Sequence, residues 1–124
     1  SSPNGRKTRM RTLFVICERY EVAVIPFPFT EMPVVKRRPA VVISGAAFNQ
    51  ENNSTVVAMI TSSTKDVWPS DVSITNLEAA GLEVPCKVRW RLATIPNELI
   101  ARRLGSIAGT DRLACERELS KLLT

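Results

Sequence analysis

The sequence predicts a mainly β domain, a small twisted or half-closed barrel with one amphipathic helix packed on it at the C-terminal end. Three observations predict it. Short runs rich in β-branched residues recur along the chain, each bounded by Pro, Gly or polar turns. One run, Cys86 to Leu92, alternates residue by residue: Val88, Trp90 and Leu92 point one way, and Lys87, Arg89 and Arg91 the other. Only the C-terminal end carries a helical stripe, with Cys115, Leu119, Leu122 and Leu123 at i, i+4, i+7 and i+8.

Taken in order, Tyr20 to Phe27 reads as a strand stopped by Pro26 and Pro28. Residues 30–38 form a loop. Ala40 to Ser44 is a short strand that opens on an apolar run, Ala40 to Ile43, and Asn49 to Ser54 is a polar turn. Thr55 to Thr61 is the next strand. Lys65 to Ser70 is a loop around Trp68 and Pro69, followed by a short strand near Val72 to Ile74 and a turn at Glu78 to Gly81. Leu99 to Ile107 fits helix or strand, and Gly105 tips it towards strand. Thr110 suits a helix N-cap, with Asp111 favourable in the first turn. There are no repeats and no low-complexity stretches.

The chain has 124 residues, enough for one domain with a modest core. Apolar residues are 44% and charged residues 23%, a globular balance. No apolar run approaches the roughly 18 residues of a membrane span. Cys17, Cys86 and Cys115 are odd in number and widely spaced, which points to a reducing, cytoplasmic setting and away from a disulfide framework or zinc site. The formal charge is +5, but residues 1–9 hold Arg6, Lys7 and Arg9 with no acid. Residues 1–9 are expected to be a disordered basic extension, and 10–124 a single domain. Histidine is absent, which removes the Ser/His/Asp and Cys/His nucleophilic systems and most transition-metal sites. No glycine-rich phosphate loop is present. Neither metal nor cofactor is expected.

The most telling residue is Arg38, in Lys36-Arg37-Arg38-Pro39-Ala40-Val41-Val42-Ile43. Pro39 cannot donate to a sheet ladder, so the sequence places it at the start or edge of its strand. A permanently charged planar fork is then held where a loop meets a rigid floor, a good position for gripping phosphate.

Six segments in register resemble the PemK/MazF/Kid toxins of type II toxin–antitoxin pairs. They are Val24-Ile25-Pro26-Phe27-Pro28-Phe29-Thr30, Arg37-Arg38-Pro39-Ala40-Val41-Val42-Ile43-Ser44, Ile60-Thr61-Ser62, Ala80-Gly81-Leu82 with Pro85, Thr94-Ile95, and Leu104-Gly105-Ser106-Ile107. The resemblance implies an SH3-like barrel, a homodimer, and metal-independent cleavage of single-stranded RNA at short sequences. It also implies a labile antitoxin partner whose acidic tail lies across the RNA groove. Arg38 matches the Arg of the family's Arg-Pro motif, which acts as acid or transition-state stabiliser. Thr61 matches the Thr that bonds the scissile phosphate.

Lys36, Arg37, Ser62, Lys87, Arg89 and Trp68 are the further candidates for RNA contact, the cations as a phosphate track and Trp68 as a base-stacking platform. Trp90, on the apolar side, is assigned to the core. The chain departs from the family pattern at Glu31-Met32-Pro33-Val34-Val35, where small polar residues are usual. It departs again at Trp90-Arg91-Leu92-Ala93, which lacks the acid that serves some members as base. The resemblance leaves two alternatives: a gyrase-poisoning toxin of the same fold, or a catalytically degenerate module that binds RNA or antitoxin.

Overall fold

A computed structural model describes residues 14–27 and 36–124. The expected basic extension and most of the loop expected at 30–38 lie outside these residues. The elements are β1 (Glu21–Phe27), β2 (Lys36–Val42), α1 (Ala46–Asn52), β3 (Ser54–Ser62), β4 (Val72–Ser73), α2 (Leu77–Ala80), β5 (Cys86–Pro96), a 3-10 turn (Asn97–Leu99), β6 (Arg102–Ser106) and α3 (Gly109–Leu123). The strands form one antiparallel sheet in the order β4-β5-β3-β2-β1-β6, curled into a half-barrel.

Both faces of this sheet are covered, because successive residues of one strand feed two separate cores. Val41, Ala58, Ile60, Val88 and Trp90 join Cys115 and Leu119 of α3 on one face. Ala40, Val42, Val57, Met59 and Ile95 join Ile25, Cys17 and Ile100 on the other. A strand buried on both sides has no use for alternating polarity, which explains the unbroken apolar run of Ala40 to Ile43. All three cysteines are buried and free. Trp90 is in the core as expected, its indole N–H donating to the Ser70 carbonyl at 2.9 Å. No helix among the described residues is long and apolar enough to cross a membrane.

Several local expectations need correction. The polar run expected to be a turn at 49–54 lies mostly in helix α1 and its C-cap, and then enters β3. Asn49 within it is fully buried and donates to the Cys17 carbonyl at 2.9 Å, while its own carbonyl accepts from Asn97 at 2.7 Å. Polarity here fills a buried hydrogen-bonding post. The turn expected at 78–81 is α2, closed by Gly81 in the left-handed region at φ +74°. Of the 99–107 segment, Arg102–Ser106 form strand β6, while Leu99 closes the 3-10 turn.

α3 begins two residues early, with Ala108 as its N-cap in place of Thr110 and no side-chain cap. Asp111 is instead buried and accepts from the Thr75 amide, the Thr75 hydroxyl and the Asn76 amide at 2.7–2.9 Å. Its carboxylate ties α3 to the segment leading into α2. The predicted stripe is buried at Cys115 and Leu119 but exposed at Leu122 and Leu123.

Candidate functional site

The site begins with a missing hydrogen. Lys36, Arg37 and Arg38, expected in a loop, belong to β2, and Pro39 is the fourth of its seven residues. Along β1 the ladder is continuous, pairing Val24 with Pro39 and Ile25 with Arg38. Val24 turns its carbonyl to the Ala101 amide at 2.8 Å, away from β2. Pro39, its partner, must therefore turn its nitrogen the other way, towards β3. On that side the ladder runs from Val42–Val57 to Ala40–Met59 and stops. The next hydrogen-bonded rung needs a donor at residue 39, and proline has none. β2 and β3 part there, with Arg38 and Thr61 as the next pair in the unfinished register.

The parting opens a cleft of about 340 Å³ lined by Arg38, Met59, Ile60, Thr61, Lys65, Asp66, Arg89 and Arg91. Strand parity explains the grouping. Arg38 shares the face of Ala40 and Val42, and Thr61 that of Met59. On β5, Lys87 stands opposite Thr61 and Arg89 opposite Met59. The structure thus brings together the two residues singled out as catalytic. Arg38 is solvent-exposed and makes no ion pair among the described residues. Thr61 is half-buried. Lys36, Arg37 and Ser62 are exposed beside the cleft rather than among its lining, and Ser62 shares a hydrogen bond with the Thr64 hydroxyl at 2.9 Å.

Lys87 and Arg89 do not lie on the solvated face that their alternation suggests. They are only 4% and 8% exposed. The 63–71 loop folds over them and supplies their counter-charges. Arg89 forks onto Asp71, Nε to Oδ1 at 3.2 Å and Nη2 to Oδ2 at 2.9 Å, and reaches Asp66 Oδ1 through Nη1 at 3.2 Å. Lys87 Nζ lies 3.2 Å from Asp71 Oδ2 and donates to the carbonyls of Lys65 and Asp66 at 3.0 and 2.8 Å. Burial by itself would raise the Asp71 carboxyl. The hydrogen bonds from Arg89, the Trp68 amide and Lys87, with the Arg89 charge, outweigh it and hold the group at about 2.

Trp68 is half-buried and works within this loop. The Arg89 guanidinium lies 4.7 Å and the Arg91 guanidinium 5.6 Å from its ring centroid. Arg91 is exposed because β5 carries extra residues here: Met59 pairs with Arg89, yet Ala58 pairs with Leu92. The bulge turns Arg91 into the cleft.

Lys65, Asp66 and Arg91 are cleft residues that the candidate set lacked. Arg91 was visible as part of a basic run. Asp66 and Asp71 had the visible signal of two acids in a loop just before a basic strand. Chemically, the cleft offers a fork at Arg38, a hydroxyl at Thr61, two further exposed cations and one carboxylate, an arrangement suited to an extended anionic ligand.

Fold and cleft together define a small half-barrel with a cation-lined cleft. The chain belongs to the PemK-like, MazF-like toxin family of type II toxin–antitoxin systems, whose family model matches residues 18–123. Solved structures share the fold. The MazE–MazF complex from Deinococcus radiodurans superposes with a TM-score of 0.69 at 18% identity, over 88% of this chain and 97% of that one. An endoribonuclease in complex with its cognate antitoxin, from a mycobacterial species, gives 0.67 at 15% identity over 87% and 93%. The Mycobacterium tuberculosis toxin MazF-mt6 gives 0.64 at 17% identity over 82% and 93%. No curated protein matches the chain.

Proposed function

We propose that this protein is an endoribonuclease toxin that cleaves single-stranded RNA at short sequences without a metal ion. The 2′-hydroxyl attacks the adjacent phosphorus, Arg38 stabilises the added negative charge and protonates the leaving 5′-oxygen, and Thr61 holds a phosphate oxygen. Alignment of the nucleophile contributes on the order of 7–11 kcal/mol, and one preorganised donor roughly 3–4 kcal/mol. Neither requires a divalent ion or an imidazole. The protein acts as a homodimer in the cytoplasm and is restrained by a cognate antitoxin whose acidic segment competes with RNA for the cleft.

The observation that carries this reading is the convergence of Arg38 and Thr61 on one cationic cleft. Lys36, Arg37 and Arg91 extend it as phosphate contacts. Purified protein incubated with single-stranded RNA and a chelator provides the test. Arg38→Ala is expected to lower cleavage by about 10²-fold or more at unchanged melting temperature. RNA bound but left intact by the wild-type protein overturns the nuclease in favour of a binding module. Inhibited supercoiling with RNA untouched does so in favour of a gyrase poison.

A further inference from the structure

We propose that Asp66 is the proton acceptor of this cleft, taking the 2′-hydroxyl proton as that oxygen attacks phosphorus; the assignment rests on the nuclease function proposed above. Among the described residues that line the cleft, Asp66 is the sole carboxylate. The others offer guanidinium or ammonium groups, the Thr61 hydroxyl or apolar surface, none of which accepts a proton at neutral pH. The residue is also mounted in a particular way. Its carbonyl accepts from Lys87 Nζ at 2.8 Å and from Arg89 Nη2, and the Lys65 carbonyl accepts from Lys87 at 3.0 Å. Both donors are buried, and Asp71 pairs with both. Two buried cations thus fix the backbone of residues 65–66, while the Asp66 side chain stays 76% exposed. Its carboxylate rests on Arg89 Nη1 through Oδ1 alone, at 3.2 Å. A fixed backbone carrying an exposed acceptor at the cleft is what a positioned base requires.

The step balances without a further reagent. The 2′-O–H bond breaks and its proton goes to Asp66. The 2′-oxygen bonds phosphorus as the bond to the 5′-oxygen breaks, and Arg38 protonates that leaving oxygen. The products are a 2′,3′-cyclic phosphate and a 5′-hydroxyl, and the proton on Asp66 returns to Arg38 through solvent. In this scheme Lys87, Arg89 and Asp71 are positioning residues.

The opposite sign of effect belongs to a different role, in which Asp66 occupies Arg89 as an anion that phosphate must displace. Asp66→Asn separates the two. Cleavage is measured on single-stranded RNA, and binding on the same RNA with 2′-O-methyl groups throughout. A third substrate carries a bridging 5′-sulfur at the scissile position, whose departure needs no proton. Cleavage is expected to fall about 10²-fold or more, with binding unchanged and the deficit persisting on the sulfur substrate. Asp66→Glu is expected to recover part of the activity and serves as the folding control.

Undiminished cleavage, tightened binding, binding lost in proportion to cleavage, or rescue by sulfur each overturns the assignment. Wild-type protein that cleaves no RNA overturns it together with the nuclease function. Wild-type cleavage that Asp66→Asn leaves intact overturns the assignment alone.

Discussion

At the scale of the residue, Arg38 and Arg89 show how one side chain serves opposite ends. Both are arginines on strands at the same cleft. Arg38 is exposed, so its truncation should cost little stability. Arg89 forks onto a buried carboxylate, so Arg89→Ala should lower the urea midpoint, leaving Asp71 only Lys87 and the Trp68 amide. A melt that does not move would place Arg89 among the surface contacts.

The pH dependence of stability follows from Asp71. Its folded pKa, about 2, lies below the ordinary carboxyl value, so its contribution is complete above about pH 4 and lost as pH falls towards 2. Asp71→Asn should flatten that acid limb of the denaturation profile. Arg38 and Thr61 were legible through the family motif more than through strand placement: the sequence put Arg38 in a loop and Pro39 at a strand start, whereas both lie inside β2, and Thr61 is the next-to-last residue of β3. The fate of Lys87 and Arg89 was not legible. Alternation tells which residues share a face, but not that an acid-bearing loop some twenty positions upstream folds across it.

At the scale of the element, two devices shape the architecture. One is the unfinished rung at Pro39. Pro39→Ala restores a donor opposite the Ile60 backbone. It should extend the β2–β3 ladder, protect the new amide against hydrogen exchange, and lower RNA cleavage by narrowing the cleft. An amide that exchanges freely would argue against the ladder geometry. The other is the approach of α2 to β6. A Cβ at Gly105 would strike the Ala79 carbonyl, and one at Gly81 the Leu104 carbonyl. Gly105→Ala should therefore destabilise by roughly 1–3 kcal/mol.

Most strands were legible from their β-branched composition and flanking breakers. Helix α1 was not, because the buried hydrogen bonds of Asn49 override its turn-like composition. The tie from Asp111 to Thr75 and Asn76 was missed for a similar reason: those partners are distant in sequence and close only after folding.

At the scale of the whole molecule, the +5 formal charge does not say which cations face the cleft. With Lys87 and Arg89 neutralised internally, the exposed cations on or beside the cleft are Lys36, Arg37, Arg38, Lys65 and Arg91. Single-strand binding through these five predicts a slope of log Kd on log salt of roughly 3.5. Participation of Lys87 and Arg89 would raise it to roughly 5. The thiols add a second global expectation. Burial, with smaller charge effects, pushes Cys17 to about 11 and Cys115 to about 12, and burial raises Cys86. The native protein should resist alkylation at mildly basic pH and react fully once unfolded.

The proline defect also has a kinetic corollary. A ring carbon stands where an amide hydrogen would close the sheet, so the parted strands are a covalent property of the free chain and need no arriving molecule to separate them. Encounter at this gap should then be a simple bimolecular event: stopped-flow rates should climb linearly with RNA concentration. A plateau would reveal a preceding isomerisation elsewhere in the protein.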